Sequence, residues 1–404
     1  MKLGIIGSGT ASAICILSIL NIIKNEQADI ENLSITCIHD PNKPTAQVGE
    51  STSGLVYDIM RNVLDVDFDK EIDLYNGTLR YYTRYNWKEA SGNDFSVFYH
   101  MPGIHLNSEK WGSYVFEKLK IKYNNFTEIH DEVISISQQD ASASAQGKLN
   151  SYTFDFLIDC RGTPSGDELN SDEFTTDVFE TVNSVILFPD FKNYEEVFTS
   201  AYVHENGWMF GVPLDHRKAF GYLYNNKITS YSEAVEHFSK IKNIDASKLR
   251  NFSWKQYHKK KAMDGRILSM GNRLYLYEPQ QAIPLHYYVL LTNTFVGGVA
   301  RNVAVDKLNQ GVNAFNDFML ENIRNLLAFS YSGKNNINSK FWIDLRARSI
   351  QLLQQSASWQ KWLDDVEQKK EILGYAPTGP SMMRTYMKGF GVDLNETRKK
   401  NETR

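Results

Sequence analysis

The chain has 404 residues, mixed charges summing to −4 at pH 7 and three well-separated cysteines, Cys15, Cys37 and Cys160. That length buries a sizeable core without staples, and the cysteine spacing offers neither a disulfide framework nor a thiolate zinc site, so a reducing cytoplasm fits best. The charge balance argues against a nucleic-acid surface, and no run of about 20 apolar residues suggests a membrane span.

The chain opens on an apolar strand, Lys2 to Ile6, a glycine turn and a helix from Ala11 to Ile23. A short strand punctuated by glycines explains this apolar start better than a signal peptide does. In GSGTAS, Gly7 and Gly9 stand where backbone must approach a pyrophosphate, with Thr10 and Ala11 opening the helix whose N-terminus meets the charge. Ser12 replaces the third glycine. LSITCIHD, Leu33 to Asp40, reads as the next parallel strand of a βαβ unit and brings His39 or Asp40 near a ribose. Together these features favour FAD or NAD over an ordinary glycine turn. GSGTAS also lacks the lysine of a phosphate-binding NTPase loop.

FDFLIDCRG, Phe154 to Gly162, is a third apolar strand, preceded by a polar segment rich in Ser, Ala and Gln. The nucleotide fold is therefore discontinuous. Between Gly77 and Tyr99, and from Ser184 to Tyr224, Tyr, Phe and Val alternate with polar residues, which predicts an antiparallel substrate-side sheet. From Val303 onward, FNDFMLENIRNLLAF and FWIDLRARSIQLLQQ carry helical periodicity. The predicted class is α/β: a Rossmann-like dinucleotide domain over 1–300 with the sheet inserted at about 60–150 and 180–260, a helical part over 301–390, and a flexible tail over 391–404. No HxxxH, HExxH or acidic cluster at ligand spacing appears, so no metal site is expected.

Five segments, in order, carry a resemblance. PTAQVGEST, Pro44 to Thr52, is similar to the segment that contacts flavin in the flavin-dependent tryptophan halogenases. FDFLIDCRG resembles their strand ending Asp-Cys-Ser-Gly. NGWMFGVPLDHRKAFGYLYNN resembles their signature of alternating tryptophans before Ile-Pro, here Trp208, Phe210, Val212 and Pro213. GRILSMGNRLYLYEP ends in Glu278-Pro279 as the family's loop does, and SKFWIDLRARS resembles its C-terminal helices.

The resemblance implies FAD, reduced by a separate flavin reductase and used with oxygen. Halide is oxidised to hypohalous acid, which passes through a tunnel to a lysine beside an aromatic small molecule, while a glutamate assists proton removal. It assigns flavin contacts to Gly7, Gly9, Thr10, Ala11, Asp40, Gly49, Glu50, Ser51 and Gly162, and leaves room for a homodimer. Glu50 could equally be a turn or cap carboxylate. His100 resembles a pocket-lining position beside aromatics, and a buried structural histidine is the plainer alternative. Trp208, Phe210 and Pro213 separate substrate from flavin, although a Trp in an apolar strand is more often core.

The chain departs from the family at its chemistry. In NGTLRYYTRYNW the lysine position falls on Leu79 without a gap or on Arg80 with a one-residue gap; neither is lysine, and Arg holds its proton too tightly to act as an acid near neutral pH. Its charge can still steer an oxidant. The family's Glu-Pro-Leu-Glu-Ser-Thr-Gly run reads here Glu278, Pro279, Gln280, Gln281, Ala282, Ile283, Pro284. Gln281 replaces the catalytic carboxylate and cannot act as a base, unless a register shift makes Glu278 that carboxylate. Pro284 deletes an N–H where the family presents amides to halide. Three functions stay open: a halogenase with altered catalytic residues, a flavin-dependent hydroxylase, and a silent flavin binder.

Overall fold

The computed structural model describes residues 1–25, 32–43, 49–176, 178–192 and 194–399, and of Lys248 and Gln281 the backbone alone. Of the flavin-contacting segment, residues 44–48 lie outside this set, as do residues 400–404 at the chain end. The chain divides into two compact units. The first comprises Met1–Leu79, Met101–Val178 and Gln256–Asp317; the second comprises Arg80–His100, Phe179–Lys255 and Phe318–Arg404.

The first unit is built on a six-stranded sheet. Its order is Met263–Asp264, Ile267–Ser269, Phe156–Asp159, Lys2–Ile6, Ser34–His39 and Phe126–His130. All neighbours are parallel except the edge pair Met263–Asp264 with Ile267–Ser269. Buried parallel strands need both faces covered, which is why they read as apolar runs. The helix Thr10–Asn25 supplies Ile14, Ile16, Leu17 and Leu20, all fully buried, and packs against the helix Ile283–Ala300.

The polar Ser-Ala-Gln segment supplies cover as well. Its strand Ser142–Gly147 is the centre of a three-stranded antiparallel meander with Val133–Gln139 and Ser151–Phe154. Ala143, Ala145 and Phe154 of that meander are buried against Ile6, Ile38 and Leu157 of the parallel sheet. Small residues at alternate positions let the two layers approach closely, and Gly4 is required because a Cβ there would fall 2.4 Å from the Phe154 ring. The expectation that 60–150 belongs to the substrate-side sheet is corrected: of that stretch only Arg80–His100 lies in the second unit. The partner of the meander is the nucleotide sheet.

In the second unit the strands run Arg250–Ser253, Ser184–Asp190, Arg217–Tyr224, Gly207–Leu214, Phe198–His204, then the strand that begins at Thr78 and ends at Asn86, and the one that begins at Asp94. The predicted antiparallel pairing holds from Arg250–Ser253 through Phe198–His204, which then runs parallel to the strand ending at Asn86. One face carries the helix Tyr231–Lys242, whose Ala234 and Phe238 pack on Ile186, Met209, Phe220, Tyr222 and Tyr224. The helix opens on a capping box, Ser230 with Glu233, that satisfies two otherwise unpaired N–H groups.

The predicted C-terminal helices are Val305–Tyr331, Lys340–Gln355, Ala357–Lys369 and Pro380–Phe390. They do not form a unit of their own, because the first is shared between the units at Asp317 and the rest pack with the antiparallel sheet. Tyr85, Trp87 and Phe95 meet Phe390 at ring-centroid distances of 5.1–5.4 Å, and Trp342 donates its indole N–H to the His204 carbonyl at 2.8 Å. Nor is the described part of the tail frayed. Thr397 is fully buried and accepts from the Trp359 indole at 3.0 Å, and Arg398 pairs with Asp364 and Glu367.

Candidate functional site

In the first unit the strand Lys2–Ile6 delivers the chain into Gly7, whose φ of +109° is closed to other residues, and whose N–H donates to the Ile38 carbonyl at 2.8 Å. A Cβ on Gly7 would stand 2.6 Å from the Cys160 carbonyl oxygen, so this glycine is fixed by its neighbouring strands. Gly9 differs. A Cβ there meets nothing within 4 Å, so the backbone at the head of the Thr10–Asn25 helix faces open space. The first N–H groups of a helix have no intrahelical partners and attract negative charge. The Ala11 methyl packs closely on Gly271, where a Cβ would fall 2.7 Å from it.

Thr10 and Glu50 are brought together: the Thr10 hydroxyl donates to Glu50 Oε2 at 2.5 Å. Glu50 lies on the short strand Gly49–Ser51, paired antiparallel to His105–Asn107. Desolvation raises the pKa of its carboxyl, and hydrogen bonds from Thr10 and Ser108 partly oppose the shift. Asp40 follows the second parallel strand, and its Oδ1 accepts from the Asn42 N–H at 2.9 Å. Gly162, at φ +88° and with open space above it, follows the third strand. Its approach is held by Asp159, which is buried and accepts from Arg161 at 2.8 Å and from Arg273 at 3.1 Å. Arg273 also pairs with Glu168 and pulls that carboxyl down to about 2.

The loop carrying the expected carboxylate leads into the helix Ile283–Ala300. Glu278 is buried, and Gln281 lies in a short 3-10 turn, Gln280–Ala282. Ala282 adopts φ +55°, an unusual left-handed state for a residue with a Cβ, and Pro284 sits in the first helical turn. There the missing N–H breaks no helical bond, but it does remove one donor from the set that a helix start offers an anion. Sequence reasoning missed Gln280. Its carboxamide is buried, with neither oxygen nor nitrogen hydrogen-bonded among the described residues. Nothing local in the sequence distinguishes it from Gln281, since burial is set by tertiary packing.

In the second unit Arg80 is buried at 3% exposure. Its Nη2 donates at 2.6 Å to both the Thr83 hydroxyl and the Tyr99 hydroxyl, which are themselves 2.7 Å apart. The guanidinium carbon also lies 4.6 Å from the Tyr99 ring centroid, and its charge acts on Tyr85 and Tyr386. The arginine is thus a positioned, tyrosine-lined charge. His100 follows Tyr99 but is exposed, so it is not a buried structural histidine. Trp208 and Phe210 share one face of their strand with ring centroids 6.3 Å apart. The Trp208 indole N–H is buried without a partner among the described residues, and the Phe210 ring covers Gly221, where a Cβ would fall 2.2 Å away. Pro213 is buried on the same strand, pairing with Lys218.

Known proteins agree with this architecture. The structure of a tryptophan halogenase from Shewanella frigidimarina superposes with a TM-score of 0.80 at 18% identity, covering 100% of this chain and 90% of that one. A tryptophan 6-halogenase from Streptomyces toxytricini gives 0.80 at 15% identity, covering 98% and 94%. At these identities the likeness speaks for the fold alone, a Rossmann-like α/β architecture with a helical C-terminal part. In sequence, the tryptophan 7-halogenase RebH of Lentzea aerocolonigenes is 24% identical over 201 residues, 45% of this chain but only 36% of that protein. The chain thus spans about a third of that curated relative's length. Residues 120–373, more than half of the chain, match the family described as tryptophan halogenase, and the chain belongs to that family.

Proposed function

We propose that the chain is an FAD-dependent oxidoreductase that uses reduced FAD and oxygen to halogenate an indole-like or other aromatic small molecule. The family match over residues 120–373 carries this reading. The first unit fits the cofactor on its own geometry: the open cradle at Gly9, the open space at Gly162, the helix start at Thr10 and the Gln280 carboxamide, unmatched among the described residues, are all features a polar ligand completes. Gly7, Gly9, Thr10 and Ala11 would hold the pyrophosphate, Asp40 the ribose, and Gly49, Glu50, Ser51 and Gly162 the flavin end. Bound and reduced by a separate flavin reductase, FAD supplies the two electrons that activate oxygen.

The residues then divide the work by charge. A guanidinium is not a proton donor or acceptor in catalysis, so the part of Arg80 is to hold an oxyanion or oxidant by charge and hydrogen bonding in a low-dielectric setting. Glu278, buried beside the helix Ile283–Ala300, is the carboxylate left to accept a proton from the ring being substituted. Gln281 can only donate or accept a hydrogen bond at its position. His100, Trp208, Phe210 and Pro213 supply the aromatic and polar wall on the substrate side.

The test is product analysis. Purified protein receives FAD, a flavin reductase, NADH and oxygen, with chloride, bromide or iodide in turn and a panel of indoles and phenols, and products are read by mass spectrometry. A halide-dependent mass increment supports the reading. Incorporated oxygen without halide makes the protein a hydroxylase, and bound flavin with no product across the panel speaks for a silent binder.

A further inference from the structure

The edge of the parallel sheet holds a group of side chains that the flavin chemistry does not use. The strands Ser34–His39 and Phe126–His130 run parallel with His39 opposite His130 and Cys37 opposite Glu128. Side chains two apart on a strand share a face, so Glu128, His130 and His39 converge on one side of the sheet. His39 Nε2 lies 2.8 Å from Glu128 Oε1, and His130 Nε2 lies 3.8 Å from the same oxygen. One ligand atom from each residue lies within 4.8 Å of the others, and the two imidazole rings meet edge to face at 5.0 Å.

We propose that His39, Glu128 and His130 form a binding site for one divalent transition-metal ion, at the end of the strand that leads to Asp40. Two imidazoles and a carboxylate are a donor set suited to zinc, copper or nickel, and they leave a fourth position open to water. A tetrahedral zinc ion sets its ligand atoms about 3.3 Å apart, a value that the present 2.8 and 3.8 Å bracket, so small side-chain rotations close the site. Lys120 Nζ binds Glu128 Oε2 at 2.9 Å, which orients the carboxylate and leaves Oε1 for the metal.

Two observations make the site exchangeable instead of structural. His130 is 58% exposed, giving the ion a direct path from solvent. His39 Nδ1 is buried with no hydrogen-bond partner among the described residues, so the acceptor that commonly strengthens a metal-bound imidazole from behind is missing. Parallel pairing builds this site from segments 89 residues apart, which is why ligand spacing along the sequence gives no sign of it.

Calorimetric titration of zinc chloride into the metal-stripped, tag-free full chain tests this. One ion per chain is expected, with magnesium chloride giving no comparable heat. His130→Ala, at an exposed position, keeps the circular dichroism and melting temperature and weakens zinc binding by more than about tenfold. Copper(II) bound instead shows hyperfine coupling to two imidazole nitrogens by electron paramagnetic resonance, falling to one in the variant. Absence of binding at millimolar zinc, or zinc affinity unchanged by His130→Ala, overturns the proposal.

Discussion

Arg80 donates a 2.6 Å hydrogen bond to the Tyr99 hydroxyl while its guanidinium carbon stands 4.6 Å from the centroid of the same ring. A flexible lysine ammonium cannot make both contacts with the same planar fork, so the tyrosine-rich surroundings are matched to arginine. Arg80→Ala should abolish substrate halogenation and leave reduced-flavin reoxidation intact, measured as product yield against oxygen uptake. It also removes the charged donor from the Thr83 and Tyr99 hydroxyls, which keep only each other at 2.7 Å, at about 1–3 kcal/mol of stability in denaturant unfolding. Unchanged product yield would remove Arg80 from the reaction.

Gly7 and Gly9 should separate folding from cofactor binding. Gly7→Ala places a methyl 2.6 Å from a carbonyl in a backbone state that L residues avoid, and is expected to depress the melting temperature strongly. Gly9→Val finds open space in the protein and should fold normally, yet lose flavin affinity because the side chain occupies the pyrophosphate's place. Flavin fluorescence titration reads the difference. Retained flavin in Gly9→Val contradicts the site.

The raised carboxyl of Glu50 has a pH signature. Its folded pKa exceeds the ordinary 4.5, so the native state binds more protons than the unfolded one, and stability is fully present below 4.5 and falls as pH rises through the folded pKa. Glu50→Gln should flatten that decline, and urea unfolding from pH 4 upward checks it. An identical pH slope in the variant contradicts the assignment.

Lys242 behaves in the opposite sense. Desolvation, helped by the nearby Lys218 charge, lowers its pKa to about 8 while its Nζ sits 3.5 Å from the Phe220 ring centroid. The folded chain therefore binds fewer protons than the unfolded one between about 8 and the ordinary 10.5, so stability rises across that window as the strain on the charged form is relieved. An amine-reactive reagent at pH 8, followed by peptide mapping, should label Lys242 ahead of lysines with ordinary pKa. Labelling no faster than those lysines contradicts the shift.

Gly221 is set by its neighbour. Replacing it with alanine drives a methyl into the Phe210 ring, and overpacking of this kind costs about 1–3 kcal/mol in unfolding experiments. Pairing the change with Phe210→Leu should recover part of the loss, because the obstruction is the ring itself.

The nucleotide half was legible because its signals are local. A strand, a glycine turn and a helix lie consecutively from Lys2 to Asn25, and the second strand, Ser34–His39, follows the helix closely. What escaped notice depends on contacts distant in sequence. The Ser-Ala-Gln stretch reads as a polar segment, yet Ala143 and Ala145 are buried as the second layer of the sheet. The tail reads as frayed because its composition is polar, while Thr397 is anchored by the Trp359 indole on its hydroxyl and by Gln360 Nε2 on its carbonyl. Arg80 stands out from its neighbours in sequence, but its contact with Tyr99, the burial of Gln280 and the His39–Glu128–His130 group follow from pairing and packing that no local pattern records.

The most direct test of the central claim leaves the unknown substrate out. Enzyme, reduced FAD, oxygen and bromide are mixed with a small 1,3-diketone that traps hypohalous acid, and the halogenated trap is quantified. The account predicts trap halogenation that needs protein, reduced flavin and halide together and is lost in Gly9→Val. Oxygen uptake that ends in hydrogen peroxide with no halogenated trap at any halide would contradict it.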